Sequence, residues 1–338
     1  MPDLAPLLTP DRHELVELVR ELHNQASPWI PSGLGNHLHW GPQPQLQSSV
    51  LSLRRHNQVL EHAAGDFTVT VEAGMPLNEL QAVLAEREQW LPIDPPLAGP
   101  SSIGGVVARG VSGPLRHKAM GLKDQVIGIS LLRSDGTTAQ AGGQVVKNVA
   151  GYDLMRLLTG SWGSLALITQ LTLRTQPLPS HRQCFAVKGA LPALQQLRHE
   201  LLLHSPLALE RLEWIYQAGE ISLWLSLVSL NPEGLQQQQE QLKASVAPEL
   251  NLQALDWEPS PAVVEKEPWL LRIGVEPQRA DDLLGLTAIK TWTLQLGAAS
   301  GLGLATGQAP SHQVADLRQQ CQSLGGYLTV LQAPKGQE

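Results

Sequence analysis

Residues 91–121 read LPIDPPLAGPSSIGGVVARGVSGPLRHKAMG, and any fold for this chain has to be built around them. Proline, glycine and serine dominate, so neither a long helix nor a regular ladder of strands is expected to run through the stretch. Ile103, Val106, Val107 and Val111 are nonetheless interleaved through it, which argues for burial and against a disordered linker. A patternless segment this long inside a folded chain is expected to carry function.

Glycine-rich turns of this kind suit one task well. A diphosphate must be met by backbone N–H groups at close range, and glycine allows that approach because it has no side chain and tolerates positive φ. Three segments qualify: Pro31-Ser32-Gly33-Leu34-Gly35-Asn36, then Pro100-Ser101-Ser102-Ile103-Gly104-Gly105, then Gly110-Val111-Ser112-Gly113. Ser32, Ser102 and Ser112 add neutral donors. Any one of these loops is a common surface turn; three in this order are a much stronger signal for a dinucleotide cradle.

Around them the pattern is mixed. Thr9-Pro10 is expected to open a helix whose apolar face is Leu15, Leu18, Val19 and Leu22. Strands are expected at 50–53, 67–71, 126–133 and 164–173, with a turn at Ser134-Asp135-Gly136 and helices at 77–84 and 154–158. Pro177 and Pro179 mark a boundary, giving domains at 1–178 and 181–338. The second half alternates strands with amphipathic helices near 191–203, 233–246, 278–289 and 311–323, which predicts an α+β domain on a mainly antiparallel sheet. GLQQQQEQLK reads as a solvated helix face.

Four stretches carry a family resemblance: VTVEAGMPLNEL (69–80), DPPLAGPSSIGGVVARGVSGP (94–114), GLKDQVIG (121–128) and VVKNVAGYDLMRLLTGSWGSLALIT (145–169). Together they resemble the PCMH-type flavin domain of the vanillyl-alcohol-oxidase family, and within it the FAD-binding subunits of glycolate oxidases. The resemblance implies an α+β chain in which a two-subdomain FAD-binding domain is followed by a ferredoxin-like α+β cap domain. It assigns residues 31–36 (Pro31, Ser32, Gly33, Leu34, Gly35, Asn36) to the first phosphate loop. Ser102, Ile103, Gly104 and Gly105 would lie along the diphosphate and ribityl chain, Ser112 and Gly113 would close on the flavin, and Ile168 would lie near the adenine. Asn36-His37 departs from the family's usual residues at that turn, which puts side-chain contacts there in doubt and leaves backbone contacts intact. Ile168 is also what a core strand with the alternation LALITQL would place there.

Hydroxy-acid oxidation on a flavin needs a base for the hydroxyl proton and cations or a metal for the carboxylate. Related dehydrogenases supply these from a His-rich cap segment. The corresponding stretch here, GAASGLGLATG (297–307), keeps the glycines and has no His, Asp or Asn. The resemblance therefore implies a subunit supporting a separate catalytic flavoprotein subunit and an iron–sulfur subunit, with a small 2-hydroxy acid as substrate of the complex. A stand-alone FAD enzyme and a non-catalytic scaffold stay open at this point. Gly301, Gly303 and Gly307 do not space as a Rossmann fingerprint. Arg109, Arg116, His117, Lys123 and Lys147 are cations near the loops, any of which could face the flavin edge or simply be solvated. Tyr152 and Asp153 are expected to anchor a helix start by packing and capping. His37 and His39 make an incomplete metal site, so no metal is expected. Cys184 and Cys321 are expected to behave as small buried hydrophobes.

The remaining properties exclude broad classes. A net charge of -7 with 16% charged residues lacks the basic face that nucleic acid requires. No apolar run is long enough to span a bilayer, and the first residues do not resemble a secretory signal. The expectation is a cytoplasmic chain that meets a membrane only through its complex, holding FAD noncovalently.

Overall fold

The computed structural model describes residues 6–41, 48–95, 100–119, 121–143, 152–256 and 268–337. Two compact units emerge: Met1–Ser112 with Met120–Leu178, and Gly113–Ala119 with Pro179–Glu338.

The first unit runs β1 (Leu7–Leu8), α1 (Leu15–Asn24), β2 (Trp29–Ser32), β3 (Ser49–Ser52), β4 (Val59–Ala63), β5 (Thr68–Glu72), α2 (Leu77–Ala85), β6 (Gln89–Trp90) and α3 (Ile103–Arg109). After α4 (Arg116–Ala119), which clusters with the other unit, come α5 (Leu122–Gln125), β7 (Val126–Leu132), β8 (Thr138–Gly142), α6 (Leu154–Leu158), β9 (Leu167–Arg174) and β10 (Gln176–Pro177). A parallel sheet β1-β3-β2 forms one subdomain. An antiparallel sheet in the order β4-β5-β9-β7-β8 forms the other. The register sets Val69 opposite Leu173 and Ile129 opposite Leu171. These side chains share a continuous core with Leu80, Leu84, Ile103 and Val107, where exclusion of apolar surface from water supplies the main stabilisation.

Helix α1 begins at Leu15, not at Thr9-Pro10. Residues 11–14 instead form a turn in which the Asp11 carbonyl accepts from the amides of Glu14 and Leu15 at 3.1 Å, and Asp11 pairs with Arg55 at 2.6 Å. The Pro10 carbonyl is held by the buried His56 ring at 3.2 Å, which keeps that residue outside the helix. The expected face survives at Leu15, Val19 and Leu22. Asp153 caps α6, its Oδ1 accepting from the Arg156 amide at 3.1 Å. Tyr152 does not pack: it is 90% exposed.

The second unit contains β11 (His181–Lys188), α7 (Leu191–Leu203), β12 (Leu209–Gln217), β13 (Glu220–Ser229), α8 (Pro232–Ser245) and β14 (Asn251–Leu255). It continues with β15 (Trp269–Gly274), α9 (Ala280–Leu284), β16 (Thr293–Gly297), β17 (Leu302–Gly307), α10 (Ser311–Ser323) and β18 (Tyr327–Gln332). All eight strands form one antiparallel sheet in the order β14-β11-β13-β12-β16-β17-β15-β18. Read by halves, each is a βαββαβ unit with its fourth strand beside its first and its third beside its second, the ferredoxin-like arrangement. The ferredoxin-like unit is thus doubled, and its halves join through β12 and β16, with Trp214 opposite Leu296. The helix expected over 278–289 is broken into α9 between two 3₁₀ turns, with Gly285 ending α9. Both cysteines are buried, and burial pushes the Cys321 thiol up to about 11, leaving it inert at neutral pH. The glutamine-rich α8 turns most of its residues to solvent and buries Leu242.

Candidate functional site

Helix α3 positions the site. Ser102 sits in extended conformation as its N-cap, and the hydroxyl accepts from the Gly105 amide at 3.2 Å. Gly110, at φ 63°, closes the other end with its amide on the Val106 carbonyl. Two glycines in the first turn disfavour a helix by about 1 kcal/mol each relative to alanine, and packing explains why Gly104 is nevertheless there. Its amide donates to the Ala73 carbonyl at 2.8 Å, and a Cβ at 104 would lie 2.6 Å from the Ala73 Cβ. At 33, a Cβ would lie 1.8 Å from the Ser102 hydroxyl, so only glycine lets the turn after β2 close on the start of α3.

Between them opens a cleft that is continuous with solvent. Residues 31–36 all line it, as do Ser102, Gly104, Gly105 and Ile168. Ile103 does not, because its side chain is fully buried in the core. Ser112 and Gly113 lie off the cleft; the Ser112 hydroxyl is buried without a partner among the described residues, and Gly113 groups with the second unit. Ala166, Leu167 and Ile168 form an apolar wall at the start of β9.

The turn after β2 is rich in donors. Among the described residues, the amides of Leu34, Gly35, Asn36 and His37 donate to no acceptor. Asn36 Nδ2 bonds the Pro100 carbonyl and ties the first loop to the second. Free amides on a glycine turn form an anion-binding concavity.

In the sequence Arg109 is one cation among several; the fold brings it into the cleft. Its guanidinium carbon lies 4.9 Å from the centroid of the Trp40 ring and 4.7 Å from that of Trp162. Nη2 donates to the His37 carbonyl, Nη1 is buried without a partner among the described residues, and desolvation lowers the pKa to about 10. Trp162 holds a left-handed conformation at φ 57°, which costs a non-glycine residue on the order of 1 kcal/mol or more. Its amide is pinned to the Ala108 carbonyl at 2.8 Å. The nine tryptophans against only two phenylalanines were the available sign, since two of them flank this arginine. Neither Arg116, His117 nor Lys123 lines the cleft, and Lys147 lies outside the described residues. Burial lowers the His117 pKa.

The His37 ring lies 4.3 Å from that of Trp40, tilted by 51°, and burial, then the Arg109 charge, then His39 lower its pKa to about 4. The unfolded chain therefore binds the proton more readily than the folded one from about pH 6.5 down to about 4, so stability falls as pH falls through that window. His37→Gln is expected to flatten that part of a plot of melting temperature against pH; an unchanged slope would show that His37 is not its source.

Residues 7–142 match the family model for an FAD binding domain. That stretch is similar to an FAD binding domain. The chain is 31% identical over 222 residues to glycolate oxidase subunit GlcE of Escherichia coli (strain K12), covering 63% of this chain and 59% of that one. It is 34% identical over 195 residues to D-2-hydroxyglutarate dehydrogenase of Xanthomonas citri pv. viticola, covering 57% of this chain and 41% of that one. The match thus spans about two fifths to three fifths of these relatives' length. The fold is also that of alkyldihydroxyacetonephosphate synthase, at a TM-score of 0.72 and 17% identity over 96% of this chain and 72% of that one. The cofactor of this domain type is FAD, and the residues present fit it: the four amides without an acceptor among the described residues suit a diphosphate, and the apolar wall suits a base.

Proposed function

We propose that the chain is an FAD-binding oxidoreductase subunit of a complex that oxidises a 2-hydroxy acid to a 2-oxo acid. The observation that carries this reading is the run of amides at residues 34–37 that donate to no acceptor among the described residues and line one cleft with Gly105 of the α3 turn. FAD, when bound, supplies hydride acceptance. In this reading the amides of 34–37 hold the diphosphate, and Gly105 lets the ribityl chain pass against backbone. Ala166, Leu167 and Ile168 cover the adenine, while Ser102 keeps the helix end in register through its cap.

The substrate class is supported by the names of the relatives, one a glycolate oxidase subunit and one a 2-hydroxyglutarate dehydrogenase. A supporting role beside a separate catalytic subunit, with an iron–sulfur subunit completing the complex, is favoured by the second unit. Residues 297–307 form the turn and second strand of the β16–β17 hairpin and supply no His, Asp, Glu or Lys to act as base or carboxylate clamp. The purified chain is expected to be yellow between roughly 350 and 500 nm and to release FAD on denaturation. Added anaerobically, glycolate or D-lactate is expected to leave the flavin oxidised until partner subunits are present. Bleaching by substrate in the isolated chain would overturn the supporting role, and a chain that stays colourless after incubation with FAD would overturn the cofactor reading.

A further inference from the structure

Arg109 is a charge without a counter-charge. Among the described residues lining the cleft it is the sole permanent ion, and no carboxylate pairs with it. Its surroundings hold it in place: the guanidinium carbon lies 4.9 Å and 4.7 Å from the centroids of two indole rings, one of them on a residue in left-handed backbone. Nη2 is already used on the His37 carbonyl, while Nη1 has been stripped of water and given nothing in return. Such an arrangement costs stability unless an anion arrives to meet it.

Resting on the FAD reading above, we propose that Arg109 is the counter-cation of the cofactor's diphosphate, pre-aimed by the clamp of Trp40 and Trp162. The choice of the diphosphate over the flavin ring follows from position. Nη2 anchors the guanidinium to the same turn, through His37, whose amides at 34–37 are free. A group that accepts from those amides is brought beside Nη1, and a planar guanidinium suits a phosphate oxygen better than a lysine ammonium does.

Separate ligands isolate the two halves of the cofactor: ADP carries the diphosphate without the flavin, and riboflavin carries the ring without phosphate. Binding of FAD, ADP and riboflavin to flavin-stripped full-length protein can be followed by titration calorimetry. Arg109→Gln is expected to weaken FAD and ADP by about 30-fold, the scale of a lost charge-assisted contact, and to leave riboflavin within about twofold. Arg109→Lys, which keeps the charge and loses the fork and stacking, is expected to lose about 10-fold for FAD and ADP, and it serves as the reporter if the glutamine variant does not fold. Wild-type ADP affinity in either folded variant overturns the proposal while leaving the FAD reading intact. Equal losses for ADP and riboflavin overturn it in favour of a general packing role. A wild-type protein that binds none of the three ligands overturns both readings together.

Discussion

Gly105→Val is expected to give a folded, colourless protein whose affinity for FAD has fallen by about 1000-fold or more, equivalent to about 4 kcal/mol. A Cβ at 105 would meet only the Ser102 hydroxyl, at 3.0 Å, and would otherwise stand in open space within the cleft. The protein itself can absorb that contact, because a hydroxyl rotates. The cofactor cannot, because in the proposed function it runs against the bare backbone at this point. Circular dichroism close to wild type together with loss of the flavin band near 450 nm is the expected pair of results. Stoichiometric flavin in the folded variant would sink the assignment of this turn to the cofactor path.

The neighbouring glycine should behave in the opposite way. Gly104→Ala is expected to cost about 3 kcal/mol of folding stability, the upper range for forcing a methyl into packed space. Its added carbon would lie 2.6 Å from the Ala73 Cβ and 2.7 Å from the Ala73 carbonyl oxygen, and the latter is backbone that cannot rotate aside. The same carbonyl accepts from the Gly104 amide, so relief of the clash pulls apart the bond joining α3 to the end of β5. For a unit of this size the melting temperature should fall by about 10 °C, and urea denaturation gives the free energy directly. A melting temperature equal to wild type would show that α3 can slide away from Ala73 at little cost. Two adjacent glycines thus separate into one kept for the ligand and one kept for the fold.

Most of the architecture was legible because its causes are local. Leu77, Leu80 and Leu84 repeat at helical spacing and become the buried face of α2, while Ser134-Asp135-Gly136 becomes the hairpin turn with Gly136 at φ 80°. What escaped was non-local. Helix α3 hides behind two glycines that propensity penalises, and only contact with Ala73 explains them. The helix start assigned to Thr9-Pro10 failed because His56, 46 residues away, holds the Pro10 carbonyl. At the site, the loops were visible as glycine and serine clusters. The Arg109 clamp was not, because Trp40, Arg109 and Trp162 are far apart in sequence and meet only once the fold is made. The doubling within the second unit was also invisible: each half's strand order is a property of pairing, and the two halves share no repeated wording in the sequence.

The short strip Gly113–Ala119 leaves the first unit's sequence, joins the second through α4 against β12, and returns at residue 120. Leu115 and Ala119 on that strip are buried. Cutting the gene at 178 would therefore not release two autonomous pieces. The amino-terminal fragment would carry an orphaned greasy ribbon, and the carboxy-terminal one would have a gap where that ribbon belongs. Efforts to express either half alone should succeed better when the seven residues are transplanted with the half they pack in.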